Sequence, residues 1–252
     1  MKPDIVFHAA ALKHVPLLEN HKIEAVETNI LGTKNIIDAA IATQCERIVM
    51  ISTDKAVKPS SFMGATKRFA EQYCQSINSG KTQISIVRFG NVLGSNGSVV
   101  PIFEKQIAKG GPLTITDVEA TRYFMTIKEA VGLVIQAAAF DVKASTKIYV
   151  LDMGEPIKIA DLANQMIVLA GLKPNIDIKV KVIGLRPGEK LHEILVTEHE
   201  SLAPTSHESI FITNPKNSNF HMISKIIDQL TEACKVHNEK ECVKMINRII
   251  KS

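Results

Sequence analysis

Residues 47–67 read RIVMISTDKAVKPSSFMGATK. Residues 47–52 form a short run of mostly branched and apolar side chains, the pattern of a strand buried on both faces. Thr53, Asp54 and Lys55 then set three polar groups at its carboxyl end. A helix follows, with Met63, Ala70, Tyr73, Cys74 and Ile77 along one side. In an open α/β sheet the carboxyl edge of the strands forms the ligand crevice. An i, i+4 spacing puts Met63 and Lys67 one turn apart on one helix face. Thr53, Asp54 and Lys67 can therefore converge on a single pocket. The local pattern also allows a plain strand-end turn, with Asp54 and Thr53 capping backbone groups and Lys67 in solvent.

Outward from this block the same alternation continues. Residues 5–7, 83–88 and 147–151 read as further buried strands. A helix carrying Val26, Ile30, Ile37 and Ile41 precedes residue 47. Strand, long helix, strand, long helix is the signature of a parallel sheet. Beyond Leu151 the pattern shifts. A helix over 159–170 stops at Gly171, a common C-cap residue, and the strict alternation of 176–182 predicts a half-exposed strand. After Ser201 a polar stretch leads to two amphipathic helices, near 220–234 and 240–250. Their apolar residues, among them Ile226, Ile227, Leu230, Val243, Met245, Ile246 and Ile249, suit packing onto a lobe better than a partner site.

Composition bounds the function. The 252 residues are 45% hydrophobic, enough for a substantial core, with no Trp. The formal charge of +4 is spread along the chain, unlike the clustered basic face of a nucleic-acid binder. The four cysteines form no C-x-x-C pair, so neither a disulfide framework nor zinc is expected, and a reducing cytoplasm fits. His8, His14 and His21 lack the i, i+4 spacing of helical metal ligands. The apolar uncharged stretch 130–140 is about half of the roughly 20 residues a membrane span needs. No long apolar core follows the first four residues as in a signal peptide. The expectation is a soluble chain.

No G-x-x-G-x-x-G or G-x-G-x-x-G occurs. The Gly-rich turn that sets a dinucleotide's pyrophosphate on a helix N-terminus is therefore absent from this chain. The expectation is that the chain alone binds such a cofactor weakly or not at all.

Several motifs stand in order: His8-Ala9-Ala10-Ala11-Leu12-Lys13-His14-Val15-Pro16, Asn29-x-x-Gly32-Thr33, the 52–67 block, and Arg88-Phe89-Gly90-Asn91-Val92-Leu93-Gly94-Ser95. Together they resemble the extended short-chain dehydrogenase/reductase superfamily. Within it the chain is most similar to the nucleotide-sugar 4,6-dehydratases of polysaccharide and glycan biosynthesis, over residues 4–196. The resemblance implies an α/β fold: a truncated Rossmann-like parallel sheet with helices on both faces plus a smaller mixed α/β substrate lobe. Residues 1–151 would form the core, with substrate-contact segments inserted at about 91–126. Residues 152–200 would form the lobe and 201–252 a helical extension.

The resemblance also implies roles. The cofactor would be NAD, with NADP the alternative, and the substrate a UDP-sugar, typically UDP-N-acetylglucosamine. The superfamily's Tyr-x-x-x-Lys pair falls on Met63 and Lys67. Methionine at the tyrosine position is itself a mark of the large membrane-associated dehydratases, whose catalytic domain lies on the cytoplasmic side. Lys67 would bond the nicotinamide ribose, Thr53 the sugar hydroxyl, and Asp54 with Lys55 would be the acid/base couple. His8, Ala9, Ala10, Ala11, Phe89 and Gly90 would line the cofactor. Lys13, His14, Asn91, Ser98, Val99, Thr114, Arg122, Arg186 and Glu189 would hold the substrate. A homo-oligomer is compatible with the family.

Such groups suit the reaction. Hydride loss from C4 gives a 4-keto sugar whose C5 hydrogen is acidic; a base removes it while an acid protonates the departing C6 hydroxyl, and the hydride returns to C6. Each proton transfer is worth about 10²- to 10⁴-fold. Free Asp titrates near 3.9 and Lys near 10.4, and adjacency drives them further apart, so the couple needs desolvation to act. Two rivals remain. A 4-epimerase needs only hydride transfer and a C4 acid/base, normally tyrosine. A non-catalytic fragment would follow from the missing Gly-rich turn. Locally, Arg122 and Arg186 could equally be surface ion-pair partners, Ser98 an N-cap, Asn91 a turn residue and His14 a buried hydrogen-bonded side chain.

Overall fold

The computed structural model describes residues 2–140, 146–198, 200–213 and 219–250, with Ile249 and Ile250 in backbone only. In chain order, β1 (Ile5–His8) leads through the single turn α1 (Val15–Leu18) and α2 (Lys22–Val26) into a π-helical turn (Glu27–Leu31) and α3 (Gly32–Ala42). β2 (Arg47–Ile51), a 3₁₀ turn (Asp54–Ala56), α4 (Phe62–Ser76) and β3 (Gln83–Arg88) follow. Next come β4 (Asn91–Val92), α5 (Val99–Ala108), β5 (Leu113–Ile115), β6 (Thr121–Arg122), β7 (Phe124–Met125) and α6 (Ile127–Ala139). The chain continues through β8 (Lys147–Leu151), β9 (Ile157–Lys158), α7 (Ile159–Leu169) and β10 (Val180–Val182). It closes with β11 (Leu202–Pro204), β12 (Ile210–Thr213), α8 (Phe220–Lys235) and α9 (Glu239–Ile250).

Two compact units result: residues 1–89, 133–152 and 194–252 form one, residues 90–132 and 153–193 the other. In the first, the sheet runs β1-β2-β3-β8-β12-β11. The first four strands are parallel, and β12 and β11 are antiparallel additions. Period-2 alternation sends Ile48, Met50, Ile84, Ile86, Ile148 and Val150 to one face, where they meet Ile30, Ile37, Phe69, Leu230, Met245 and Ile246 of the helices. Truncating a fully buried ring such as Phe69 costs about 3–5 kcal/mol. On the other face Val49, Val87 and Tyr149 are equally buried. There the Arg47 guanidinium donates to the carbonyl of Ala138 in α6. Helices thus cover both faces, as the sequence implies. The exception is edge strand β1, whose Ile5 and Phe7 remain 47% and 46% exposed.

The strands at 83–88 and 147–151 and helix α7 match the sequence reading; three features differ, the first being that residues 5–7, expected as a buried strand, form the half-exposed edge strand β1. β11 and β12 occupy a stretch read only as polar. Residues 176–179 are not strand: only Val180–Val182 pair, in parallel with β5. Lys173 closes a turn there, its carbonyl accepting from the Asp177 N–H at 2.9 Å and its N–H donating to Asp177 Oδ2 at 2.7 Å. Ile176 is left 76% exposed, so the first half of the apolar alternation belongs to a turn and only its second half to a ladder.

The second unit has its own core, with Phe103, Leu113, Ile115, Ala120, Ile159, Ala163, Ile167 and Ile178 buried together. β4 pairs with β7, and β6 with β9. The C-terminal helices α8 and α9 pack on α2 and α4 in the first unit; the Ile249 side chain lies outside the described residues.

Candidate active site

The carboxyl end of β2 is stitched to β3. The Ser52 N–H donates to the Val87 carbonyl at 2.7 Å, and the Asp54 N–H to the Phe89 carbonyl at 3.1 Å. Thr53, in extended conformation, caps the 3₁₀ turn, its Oγ1 accepting from the Lys55 N–H at 3.4 Å. Asp54 is fully buried. Its Oδ1 accepts from Thr53 Oγ1 at 2.8 Å and from Lys55 Nζ at 2.9 Å. Its Oδ2 is buried and has no hydrogen-bond partner, an expensive arrangement for a carboxylate and one that usually has a reason.

Helix α4 faces this tip. Ser61 is its N-cap, Oγ accepting from the Gly64 N–H at 3.0 Å. Met63 is buried. Lys67, one turn on, is only 6% exposed and donates to the Ile51 carbonyl at 2.6 Å. Burial pulls its ammonium down to about 8, against the opposing pull of Glu71 and Cys74. The solvated Lys67 of the plain-turn alternative is therefore not what the fold builds. Thr53, Asp54, Lys55, Met63 and Lys67 gather at the end of one strand and the first turns of one helix.

His8 closes β1 and is buried, its Nε2 3.0 Å from Thr33 Oγ1. Thr33 gives its single proton to the Asn29 carbonyl at 2.8 Å, so Nε2 must carry the hydrogen and donate. Burial, and then the charge of Lys67, lower the imidazole's pKa. Ala9 and Ala10 beyond it are exposed and Ala11 half-buried, leaving a surface without bulky side chains. Lys13 is exposed and His14, at the start of α1, is half-buried. The loop is held by Asn29, a residue to which the sequence reading gives no role. Fully buried in the π turn, its amide accepts from the Leu12 N–H at 2.8 Å and donates to the Leu12 carbonyl and to Thr66 Oγ1, both at 3.0 Å. Its signal in the sequence is an amide in mid-helix, where propensity does not favour one; such π turns cluster at functional sites. Ser52, Glu71 and Arg88, also unassigned from sequence, form a buried polar cluster behind the tip. Among the described residues no group of three or more His, Cys, Asp or Glu side chains is placed to hold a metal.

The second unit carries the other sequence-expected residues. Gly90 is tightly enclosed: a Cβ there would sit 3.0 Å from that of Tyr123. Asn91 donates its N–H to the Tyr123 carbonyl at 3.0 Å. Ser98 precedes α5 without a capping bond, its Oγ buried and unpartnered, and Val99 opens the helix. Thr114 is already paired, its Oγ1 accepting from Gln106 Nε2 at 2.8 Å. Arg122 donates from Nη1 to the carbonyls of Thr121 and Leu191 (2.7 and 3.0 Å) and from Nη2 to that of Lys190 at 2.8 Å. It thereby braces the loop that carries Arg186 and Glu189. Arg186 is exposed, and Glu189 Oε2 accepts from its N–H at 3.1 Å.

With this geometry in view, comparison with known proteins is informative. Residues 1–215 match the model of a family described as polysaccharide biosynthesis protein. The chain belongs to that family. Its relatives in it include capsular polysaccharide biosynthesis protein CapD of Staphylococcus aureus, 48% identical over 98% of this chain and 41% of that protein. A UDP-N-acetylglucosamine 4,6-dehydratase (inverting) of Campylobacter jejuni is 36% identical over 90% of this chain and 64% of its own length. Among solved structures, Pen from Bacillus thuringiensis superposes with a TM-score of 0.76 at 38% identity, covering 86% of this chain and 68% of that one. A Thermus thermophilus UDP-glucose 4-epimerase in complex with NAD shares the fold at a TM-score of 0.66 and 24% identity, over 77% and 69%. The chain thus spans about two fifths of CapD. No helix among the described residues is long and apolar enough to cross a membrane.

Proposed function

We propose that this chain carries the catalytic residues of an NAD-dependent 4,6-dehydration of a UDP-N-acetyl-hexosamine, UDP-N-acetylglucosamine being the first substrate to test. The observation that carries the reading is Asp54: one carboxylate oxygen is held by Thr53 and Lys55, the other is buried and unpartnered. The chain's own residues fit the nicotinamide end of the cofactor. Lys67 offers a buried ammonium at the strand ends, and Ala9 and Ala10 keep the approach open; the Gly-rich phosphate turn is not in this sequence. When bound, NAD supplies a reversible hydride acceptor, taking hydride from C4 and returning it to C6.

The protein's own part is proton handling and placement. Thr53, beside Asp54, would orient a sugar hydroxyl. Asp54 would protonate the leaving C6 oxygen through Oδ2, and Lys55 Nζ would take the C5 proton. Both require a neutral pair, with Asp54 protonated on Oδ2 and Lys55 an amine that keeps one N–H on Oδ1 across 2.9 Å, and desolvation by bound sugar favours that pair. Met63 cannot exchange a proton, so in either reaction the C4 hydroxyl would pass its proton to another acceptor, proposed as a water held by Thr53 and Lys67; the Asp54–Lys55 couple is what favours dehydration over 4-epimerisation. In the second unit, Asn91, Ser98, Val99, Thr114, Arg122, Arg186 and Glu189 are proposed UDP-side contacts. The unpartnered Ser98 Oγ and the exposed Arg186 favour this; the engaged guanidinium of Arg122 would have to act through its remaining N–H groups.

The test is Asp54→Asn with NAD and UDP-N-acetylglucosamine, read by mass spectrometry for loss of one water. Water loss is expected to fall at least about 10²-fold while UDP-sugar binding persists. Retained turnover removes Asp54 from the mechanism, and a product of unchanged mass identifies an epimerase.

A further inference from the structure

Glu71 lies on α4 one turn beyond Lys67, fully buried. Its Oε1 accepts from Ser52 Oγ at 2.7 Å and Arg88 Nε at 2.8 Å; its Oε2 accepts from Arg88 Nη2 at 2.7 Å and Arg68 Nη1 at 3.2 Å. Arg88, also fully buried, gives its remaining nitrogen, Nη1, to both oxygens of Glu200 at 3.0 and 3.1 Å. Burial alone would raise the Glu71 carboxyl; the charge and hydrogen bonds of Arg88, then Arg68 and Ser52, reverse this and hold it below the usual range.

Two carboxylates and two guanidiniums balance, yet a buried ionic cluster of this kind stabilises no better than well-packed apolar side chains. What an apolar cluster would lack is direction. Ser52 immediately precedes Thr53 on the tip of β2. Arg88 immediately precedes Phe89, whose carbonyl holds the Asp54 N–H. Lys67 grips the Ile51 carbonyl while Glu71 grips the Ser52 hydroxyl. The helix therefore holds two successive residues of β2 through two side chains one turn apart.

We propose that Glu71 is a positioning residue that locks the helix bearing Lys67 to the strand ends bearing Thr53, Asp54 and Phe89, and so sets where the Lys67 ammonium stands relative to the Asp54 carboxylate. The chemical consequence rests on the dehydratase reading; the lock itself does not, because it can be measured without turnover. The charged and titratable groups that shift Lys67 are Glu71 and Cys74 of its own helix; Lys67 in turn lowers the pKa of His8 of β1, and the Ile51 carbonyl of β2 is its acceptor.

Glu71→Gln in the full chain removes the charge and keeps the shape. Titration of the Lys67 side chain by NMR, assigned with Lys67→Arg, is expected to move at least tenfold in proton affinity below its position near 8. Amide exchange at Ser52 and Asp54, whose N–H groups are bonded to Val87 and Phe89, is expected to rise more than tenfold while Ile48 is unchanged, and Glu71→Asp is expected to recover part of both. A folded Glu71→Gln protein with Lys67 titration and tip exchange like the parent overturns the proposal. If Glu71→Gln does not fold, Ser52→Ala, which leaves all four charges in place, decides: faster Asp54 exchange supports the lock, and unchanged exchange refutes it. Asp54→Asn leaves this cluster untouched, so failure of the dehydratase reading and failure of the lock give different results.

Discussion

The carbonyl of Lys55 lies directly over Gly64: a Cβ built on that glycine would come within 2.3 Å of the Lys55 oxygen. The first turn of α4 and the 3₁₀ turn bearing Asp54 and Lys55 are in contact through bare backbone. Gly64→Ala must push the two apart. The expected cost is about 1–3 kcal/mol, read by chemical denaturation, together with loss of the Asp54–Lys55 geometry and hence of water elimination. An alanine variant of parental stability would mean that the turn yields freely.

Lys67 gives a pH-dependent prediction. Its folded pKa, about 8, lies below the free value of 10.5. Below pH 8 the folded chain bears the full cost of a buried ammonium. Between about 8 and 10.5 the unfolded lysine stays protonated while the folded one does not, so stability rises with pH. Lys67→Met removes this dependence. It is expected to stabilise the chain by about 2–3 kcal/mol at pH 7 after the lost hydrogen bond is deducted, and above pH 10.5 to destabilise it by that bond, about 1 kcal/mol. Urea denaturation of both proteins across pH 7–10.5 measures the difference.

His8 works in the acid range. Because its pKa is lowered by burial and then by Lys67, the unfolded state binds more protons than the folded one below about 6.5. Stability is therefore expected to fall as pH drops from 6.5 through the folded value. His8→Gln, which can still donate to Thr33, is expected to flatten the melting temperature between pH 7 and pH 5 relative to the parent. Equal slopes would exclude His8 as the cause.

Asn29 anchors the loop after β1 through both backbone groups of Leu12. Asn29→Leu keeps the volume and removes the bonds, leaving polar groups that only partly reach water. A loss of about 1–3 kcal/mol is expected, with faster amide exchange at Leu12 and no change at Ile84. An undisturbed Leu12 amide would show that the loop is held by other means.

How much of this was legible follows from the kind of interaction each residue makes. The runs at 83–88 and 147–151 declare themselves because strands buried on both faces are mostly apolar. Met63 and Lys67 are readable from a four-residue spacing that any helix enforces. β12 is not, since a four-residue apolar run acquires strand geometry only by pairing with β8. The alternation at 176–182 misleads because Asn175, at a positive φ of 61°, and Asp177 close a turn that periodicity does not register. Glu71 and Arg88 are silent for a different reason. A lone glutamate on a helix reads as solvated, and only the meeting of β2, β3 and α4 turns it into a four-bonded acceptor.

Edge strand β1 has a practical consequence. With Ile5 and Phe7 bare and one row of backbone amides and carbonyls facing outward, that side of the sheet is a template on which further chains can stack. Concentrated preparations are expected to build up from this ledge, and a lysine at position 5 or 7 would blunt it without touching the catalytic end of the neighbouring strand.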